Sequence, residues 1–297
     1  MSFPIIDMRC RPAYLHDFFG KTPGNADYEV VRWLNRRVGT LGDDQHFARS
    51  ATPQGFLDEI REAGLTRAVV VGRHTPSQHL PNDDIVGIVA LDPDLLAGIG
   101  AVDVPSLGAG AAIAEATRAM RRLGLRGIDI EPGFGSPARH PDDAVFFPFY
   151  EWAAAEQVPV FVMSGPTTPD PRYNDPAGLA AVARNFPALK IGVFHGYWPH
   201  VQDILGLAFR HENIHVIPDM YLFQPGSAAY VEAANGWMAD QLLFGSSYPF
   251  RPIRQSIEDA QRLGLRDAVL SRFFAGNAAR LLGLALAEPA ERADDAA

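Results

Sequence analysis

The sequence carries one cysteine, Cys10, in 297 residues, which excludes an intrachain disulfide framework and suits a reducing compartment. Charge is also sparse, at 21% against 47% hydrophobic residues, so there is apolar material for a large core and bulk disorder is excluded. No apolar run reaches eighteen residues, and Met1-Ser2-Phe3-Pro4-Ile5 lacks the basic and apolar regions of a secretory signal. A cytoplasmic chain without a membrane span is expected. Basic residues are in deficit, 26 Lys and Arg against 35 Asp and Glu, a net charge of -9 with no basic stripe. Nucleic acid and anionic membranes are therefore excluded as partners. A Gly-rich turn after the first strand is missing too: the sequence there is Asp7-Met8-Arg9-Cys10-Arg11-Pro12, which argues against a doubly wound dinucleotide-binding sheet.

What is present is one repeated phrase, an amphipathic stretch followed by a short β-rich run. Residues 56–64 place apolar side chains at 56, 57, 60 and 63 and stop at Gly64 before the apolar run 68–72, the pattern of a helix leading into a strand covered on both faces. Residues 119–124 leading into 127–130 repeat it. Further strands are expected at Ile5-Ile6-Asp7 and at 98–102, 158–162, 190–194, 214–217 and 241–244. Eight such units predict an α/β fold, a single (β/α)8 TIM barrel over residues 1–285 with a long insertion after the first strand. That insertion, residues 12–52, contains an expected helix over 28–38 and sits where a lid would belong, with an oligomer contact as the alternative. Residues 286–297, rich in Ala, Glu and Asp, are expected to be a disordered tail.

In such a barrel the polar side chains at the C-terminal ends of the strands converge on one pocket. They are Asp7, Arg9, Arg11, Arg73, His74, Asp103, Glu131, Met163, Ser164, His195, Asp219, Tyr221, Ser246, Ser247 and Tyr248. Glu131, His195 and Asp219, from strands four, six and seven, would make a hard O/N donor set for Zn, Mn or Fe. Each has a structural alternative: an ion pair for Glu131, a hydrogen-bonded core role for His195, helix capping or an Arg partner for Asp219. Arg9 and Arg11 alternate across Cys10 and face one side. With Arg73 they suit a carboxylate or phosphate of a small anionic substrate; the alternative is a network that neutralises Asp7, Glu131 or Asp219. Tyr221 and Tyr248 are added as substrate-binding candidates, and Cys10 is expected to fill the core.

Several segments together resemble the amidohydrolase-related barrel family, which includes decarboxylases, hydratases and lactonases of small dicarboxylic acids. They are Ile5-Ile6-Asp7, Val158-Pro159-Val160, Phe194-His195-Gly196, residues 243–249 (Leu-Phe-Gly-Ser-Ser-Tyr-Pro) and residues 276–282 (Gly-Asn-Ala-Ala-Arg-Leu-Leu). The resemblance implies a metal-binding His-x-His where this chain has Arg9 and Arg11, a His at Met163 and an Asp at Ser247. Only His195 matches a usual ligand. The chain is similar to an atypical subgroup with Arg-x-Arg at the first strand, Glu-Pro-Gly after strand four, His195-Gly196-Tyr197-Trp198-Pro199 after strand six and Pro218-Asp219-Met220-Tyr221 after strand seven. In binuclear relatives a strand-four carboxylate bridges two metals, so the resemblance points to a relocated divalent metal on Glu131, His195 and Asp219.

The leading expectation is therefore a metal-dependent hydrolase of an ester, thioester, lactone or amide, with Glu131, His195 and Asp219 as catalytic groups and metal ligands. Two others stay open: a metal-free lyase or lactonase with His195 as general base, and a non-catalytic ligand-binding barrel. Self-association is compatible with each.

Overall fold

The computed structural model describes residues 3–15, 26–40 and 45–286. Seven parallel strands follow one another in chain order around the sheet: β1 (Ile6–Cys10), β2 (Arg67–Val71), β3 (Leu96–Ala101), β4 (Ile128–Ile130), β5 (Val160–Met163), β6 (Ile191–Phe194) and β7 (Ile214–Ile217). The eighth segment, residues 241–248, closes the ring. Leu242 bridges Val216 of β7 and Tyr248 bridges Cys10 of β1. Leu243 N donates to Val216 O at 3.0 Å, Met8 N to Phe244 O at 3.1 Å and Arg11 N to Tyr248 O at 2.9 Å. The strand expected at 241–244 is thus a ladder of single bridges, and Ser247, at φ 59, turns the chain out of the β region before β1 is fully paired. The fold is the expected (β/α)8 barrel.

Asp7 fastens this closure. Its carboxylate accepts from Ser246 N at 2.9 Å, Ser246 Oγ at 2.5 Å and Arg9 N at 3.0 Å. Burial pushes its pKa up to about 6 even though these bonds favour the charged form.

The helix Pro53–Glu62 shows how an apolar stripe and a start signal act together. In Pro53–Glu62, Thr52 caps by accepting from Gly55 N at 3.1 Å, Pro53 starts the first turn, and Phe56, Leu57 and Ile60 are buried. Strand side chains then alternate between two cores. Cys10, Ala68, Val70, Ile128, Ile130, Val160, Val162, Ile191 and Val193 face the helices. Ile6, Met8, Val69, Val71, Ile99, Phe161, Met163, Phe194 and Ile217 fill the lumen. Cys10 is fully buried, as expected, with Sγ donating to Val69 O at 3.4 Å.

Lumen space is allotted by glycine. Gly192 lies opposite Phe161 in the β5–β6 register, and its missing side chain leaves room for that ring, which stacks on Phe194 at 5.0 Å. Above this stack, the Arg9 guanidinium sits 4.9 Å from the Phe194 ring centre.

The insertion helix runs over Ala26–Asn35 and continues as a wider helical turn, Arg36–Thr40, broken at Gly39 (φ 99), one residue past the end expected at 38. A second helix, Gln45–Arg49, follows. Asn35 Nδ2 donates to Phe250 O at 3.2 Å, Arg251 Nη1 donates to Val38 O at 2.6 Å, and His46 Nε2 lies 2.5 Å from Pro249 O. Leu34 and Val38 bury themselves against Met220 and Tyr221. The insertion is thereby held across the C-terminal end of the barrel. The tail expected over 286–297 lies, beyond Leu286, outside the described residues.

Substituting Gly192→Ala forces a methyl into the Phe161 ring, so urea denaturation should show a loss of about 1–3 kcal/mol. An unchanged midpoint would mean the lumen is loosely packed at this level.

Candidate active site

At the C-terminal ends of β6, β7 and the eighth segment the backbone leaves the ordinary region repeatedly. His195 (φ 65), Tyr197 (φ 56), Asp219 (φ 45) and Ser247 (φ 59) are all left-handed. Such conformations cost on the order of 1 kcal/mol each and gather where side-chain aim matters. The chain compensates locally. His195 N donates to Asp219 Oδ2 at 3.2 Å, Tyr197 N to Ser164 Oγ at 2.9 Å, and Tyr230 OH to Gly196 O at 2.6 Å.

His195 Nδ1 lies 2.8 Å from Asp219 Oδ1. A carboxylate there requires the proton on Nδ1, which leaves Nε2 with its lone pair. Burial is the main reason the imidazole is held down to about 4; Asp219 opposes the shift and Arg9 and Arg11 add to it. His195 is therefore a neutral base at neutral pH. Tyr221 meets its ring edge-on at 5.0 Å and stacks flat on Trp198 at 5.3 Å.

Three guanidiniums surround this dyad. Arg9 Nε is 3.8 Å from Asp219 Oδ2 and its Nη1 donates to Met163 Sδ at 3.2 Å. Arg11 donates from Nε to Val71 O at 2.7 Å and from Nη2 to Gly72 O at 2.8 Å. Burial, then Arg9 and Arg73, lower its pKa to about 9, which leaves it charged at neutral pH. Arg73 Nη2 lies 2.9 Å from Glu131 Oε2, and its guanidinium is 4.8 Å from the Phe134 ring centre.

Arg9, Arg11, Arg73, His195 and Met163 line one cavity of about 280 Å³, together with Val31, Trp33 and Leu34 of the insertion, Ser77, Gln78, Thr167, Met220 and Phe250. The structure thus joins four of the expected residues, the three arginines and His195, in one cavity, with Asp219 behind the imidazole. Glu131 is not on this wall. Its side chain is 1% exposed, turned to Arg73, and lines a separate space of about 10 Å³ with His74 and Asp103. Tyr221 and Tyr248, expected to touch substrate, do not line the cavity either. Tyr221 backs His195, and Tyr248 OH donates to His46 O at 3.1 Å and to Ser50 Oγ.

The donor set does not fit a divalent metal. Among the described residues no three His, Cys, Asp or Glu side chains are arranged to hold one. Glu131, His195 and Asp219, expected to form the site, are instead divided: Asp219 faces His195 and Arg9, and Glu131 faces Arg73. A cation would enter a cavity already holding three guanidiniums, and at the position expected for a further histidine Met163 Sδ accepts from Arg9.

One buried acid was missed. Asp129 is fully buried on the lumen side of β4, neither carboxylate oxygen has a hydrogen-bond partner, and burial, then Glu131, raises its pKa well above the usual carboxylate range. Its signal was readable: Asp129 is two residues before Glu131 and alternates with Ile128 and Ile130. Trp33 and Leu34, by contrast, gave no signal beyond an amphipathic helix.

A family model described as amidohydrolase matches residues 6–284. No curated protein matches the sequence. Among solved structures, an uncharacterised TIM-barrel protein of Bordetella bronchiseptica is 29% identical, covering 94% of this chain and 98% of that one with a TM-score of 0.84. A dihydroxybenzoic acid decarboxylase of Polaromonas, with bound manganese and the inhibitor 2-nitroresorcinol, is 18% identical over 95% of this chain and 97% of its own, with a TM-score of 0.66. A 4-oxalomesaconate hydratase of Rhodopseudomonas palustris is 18% identical over 94% and 95%, with a TM-score of 0.62. At those two identities the likeness is one of fold.

Because the His195 pKa falls from 6.5 to about 4 on folding, the unfolded chain takes up this proton first as pH drops. The stability His195 supplies by staying neutral is complete above 6.5 and lost towards 4. Wild type should lose about 3 kcal/mol relative to His195→Gln between these pH values in denaturant titrations. A constant difference would mean the imidazole is solvated.

Proposed function

Since the chain belongs to the amidohydrolase family, whose model spans residues 6–284, we propose that it is an enzyme acting on a small organic acid without a metal, as a lyase or lactonase with His195 as base. The observation that carries this reading is the position of the neutral imidazole, backed by Asp219 at 2.8 Å, on the wall of a cavity that holds Arg9, Arg11 and Arg73. Each group then has a role. The guanidiniums bind the substrate's carboxylate and stabilise an oxyanion or enolate as charge develops. His195 Nε2 accepts a proton from a carbon beside a carbonyl or from an attacking water, and Asp219 stabilises the imidazolium that results. Trp33, Leu34, Met220 and Phe250 form the apolar side of the cavity and favour a substrate with an apolar body.

The metal-dependent hydrolase of an ester, thioester, lactone or amide is the less favoured reading, because among the described residues no three His, Cys, Asp or Glu side chains are grouped to hold a cation and three guanidiniums line the cavity. The insertion is read as a lid, since Val31, Trp33 and Leu34 contribute to the cavity wall. No helix among the described residues is long and apolar enough to cross a membrane; with the lone buried Cys10, a cytoplasmic enzyme is the reading we favour.

The test is a screen of small organic acids and lactones with chelator-treated protein. Turnover should survive chelation and fall by roughly 10²–10⁴ in His195→Gln. Activity that disappears on chelation and returns with Mn2+ or Zn2+ overturns the proposal. Calorimetric titration with malonate should show weaker binding in Arg9→Met, and equal binding would return Arg9 to a structural role.

A further inference from the structure

Beyond β2 the chain folds into a short antiparallel ribbon, Arg73–His74 paired with His79–Leu80, with Arg73 opposite Leu80 and His74 opposite His79. Thr75 N donates to Gln78 O at 2.9 Å, closing a two-residue loop over Pro76 and Ser77, and Gln78 N donates back to Thr75 Oγ1 at 3.1 Å. Antiparallel pairs alternate between hydrogen-bonded and non-bonded positions, and side chains come closest at the non-bonded ones. The pair after Thr75 and Gln78 is His74 with His79, and their rings lie 4.1 Å apart at 16°. Among the described residues no hydrogen bond or ion pair engages either imidazole. His79 is exposed and His74 half-buried.

We propose that His74 and His79 chelate one borderline divalent cation, Cu2+, Ni2+ or Zn2+, on the face of this ribbon turned away from the main cavity, with water completing its coordination. Two imidazoles fixed across a strand pair present the second ligand at high effective concentration. Tetrahedral bonds of about 2.1 Å set two nitrogens about 3.4 Å apart; the rings are stacked nearly parallel, so both must turn about their side-chain torsions for their in-plane lone pairs to meet on one ion. Burial, then His79, lower the His74 pKa, against Asp103 and Glu115, which raise it; a neutral ring offers its lone pair without proton competition. Imidazole donors bind Cu2+ most strongly of the first-row divalent ions.

The site stands apart from the proposed chemistry. Arg73 and Gln78 line the main cavity, while the histidine pair occupies the alternate face of the same ribbon. Metal found in a preparation would therefore sit beside the cavity, and metal content alone would say nothing about the reaction.

The experiment uses the untagged full chain, stripped with chelator and titrated with Zn2+ by calorimetry and with Cu2+ by electron paramagnetic resonance. One ion per chain is expected, with hyperfine coupling to two imidazole nitrogens. His74→Gln and His79→Gln should each weaken it by about tenfold or more, and the double variant should abolish it. Because His79 is exposed, His79→Gln keeps its fold whatever His74→Gln does, as its melting temperature without metal will report. Unchanged affinity in His79→Gln, coupling to a single nitrogen, or no binding in the intact chain overturns the proposal.

Discussion

The site depends on how a barrel mouth accommodates three guanidiniums, those of Arg9 and Arg11 buried and that of Arg73 partly buried. Each is held by a different device: Arg9 by the Asp219 carboxylate 3.8 Å away and the Phe194 ring beneath it, Arg11 by the main-chain carbonyls of Val71 and Gly72, Arg73 by Glu131. Asp219 bears the most, since one fully buried carboxylate meets both Arg9 and His195. Buried charges are tolerable only with such partners, and removing one partner typically costs several kcal/mol. The same anion that neutralises Arg9 fixes the proton on His195 Nδ1, so the placing of the guanidinium and the tautomer of the imidazole are linked through one residue. The tight left-handed turns at His195 and Asp219 follow from the need to bring these side chains face to face.

The support reaches down through the barrel. Arg9 rests on Phe194, Phe194 stacks on Phe161, and Phe161 occupies the space Gly192 leaves open. At the rim, Asp7 joins β1 to the eighth segment by accepting from Ser246 and from Arg9 N. A close-packed lumen transmits displacement rather than absorbing it; the direction of a guanidinium at the mouth is set by aromatic packing two residues along β6.

The barrel was legible because its information is periodic. Apolar runs such as 68–72 and the helix stop at Gly64 repeat, and repetition survives local irregularity, including an eighth segment that pairs only through single bridges. The site was legible by position and not by direction. Strand-end reasoning found Arg9, Arg11, Arg73, His195 and Asp219, yet a list of strand ends does not say which way a loop turns its side chain. Glu131 turned to Arg73, Tyr221 behind His195, and Tyr248 towards His46 and Ser50. A metal trio was expected because each residue type suited one, while an arginine network neutralising Glu131 and Asp219 stood as the alternative. Asp129 escaped notice because a charged residue inside an apolar strand was read as part of the strand.

The insertion is tied down in part through main-chain oxygens, those of Phe250 and Pro249 receiving Asn35 and His46 and that of Val38 receiving Arg251, beside the packing of Leu34 and Val38 on Met220 and Tyr221. Main-chain acceptors exist whatever side chain a residue carries. Trp33, exposed and on the cavity wall, makes none of these contacts, so its side chain can be exchanged while the clamp stays in register.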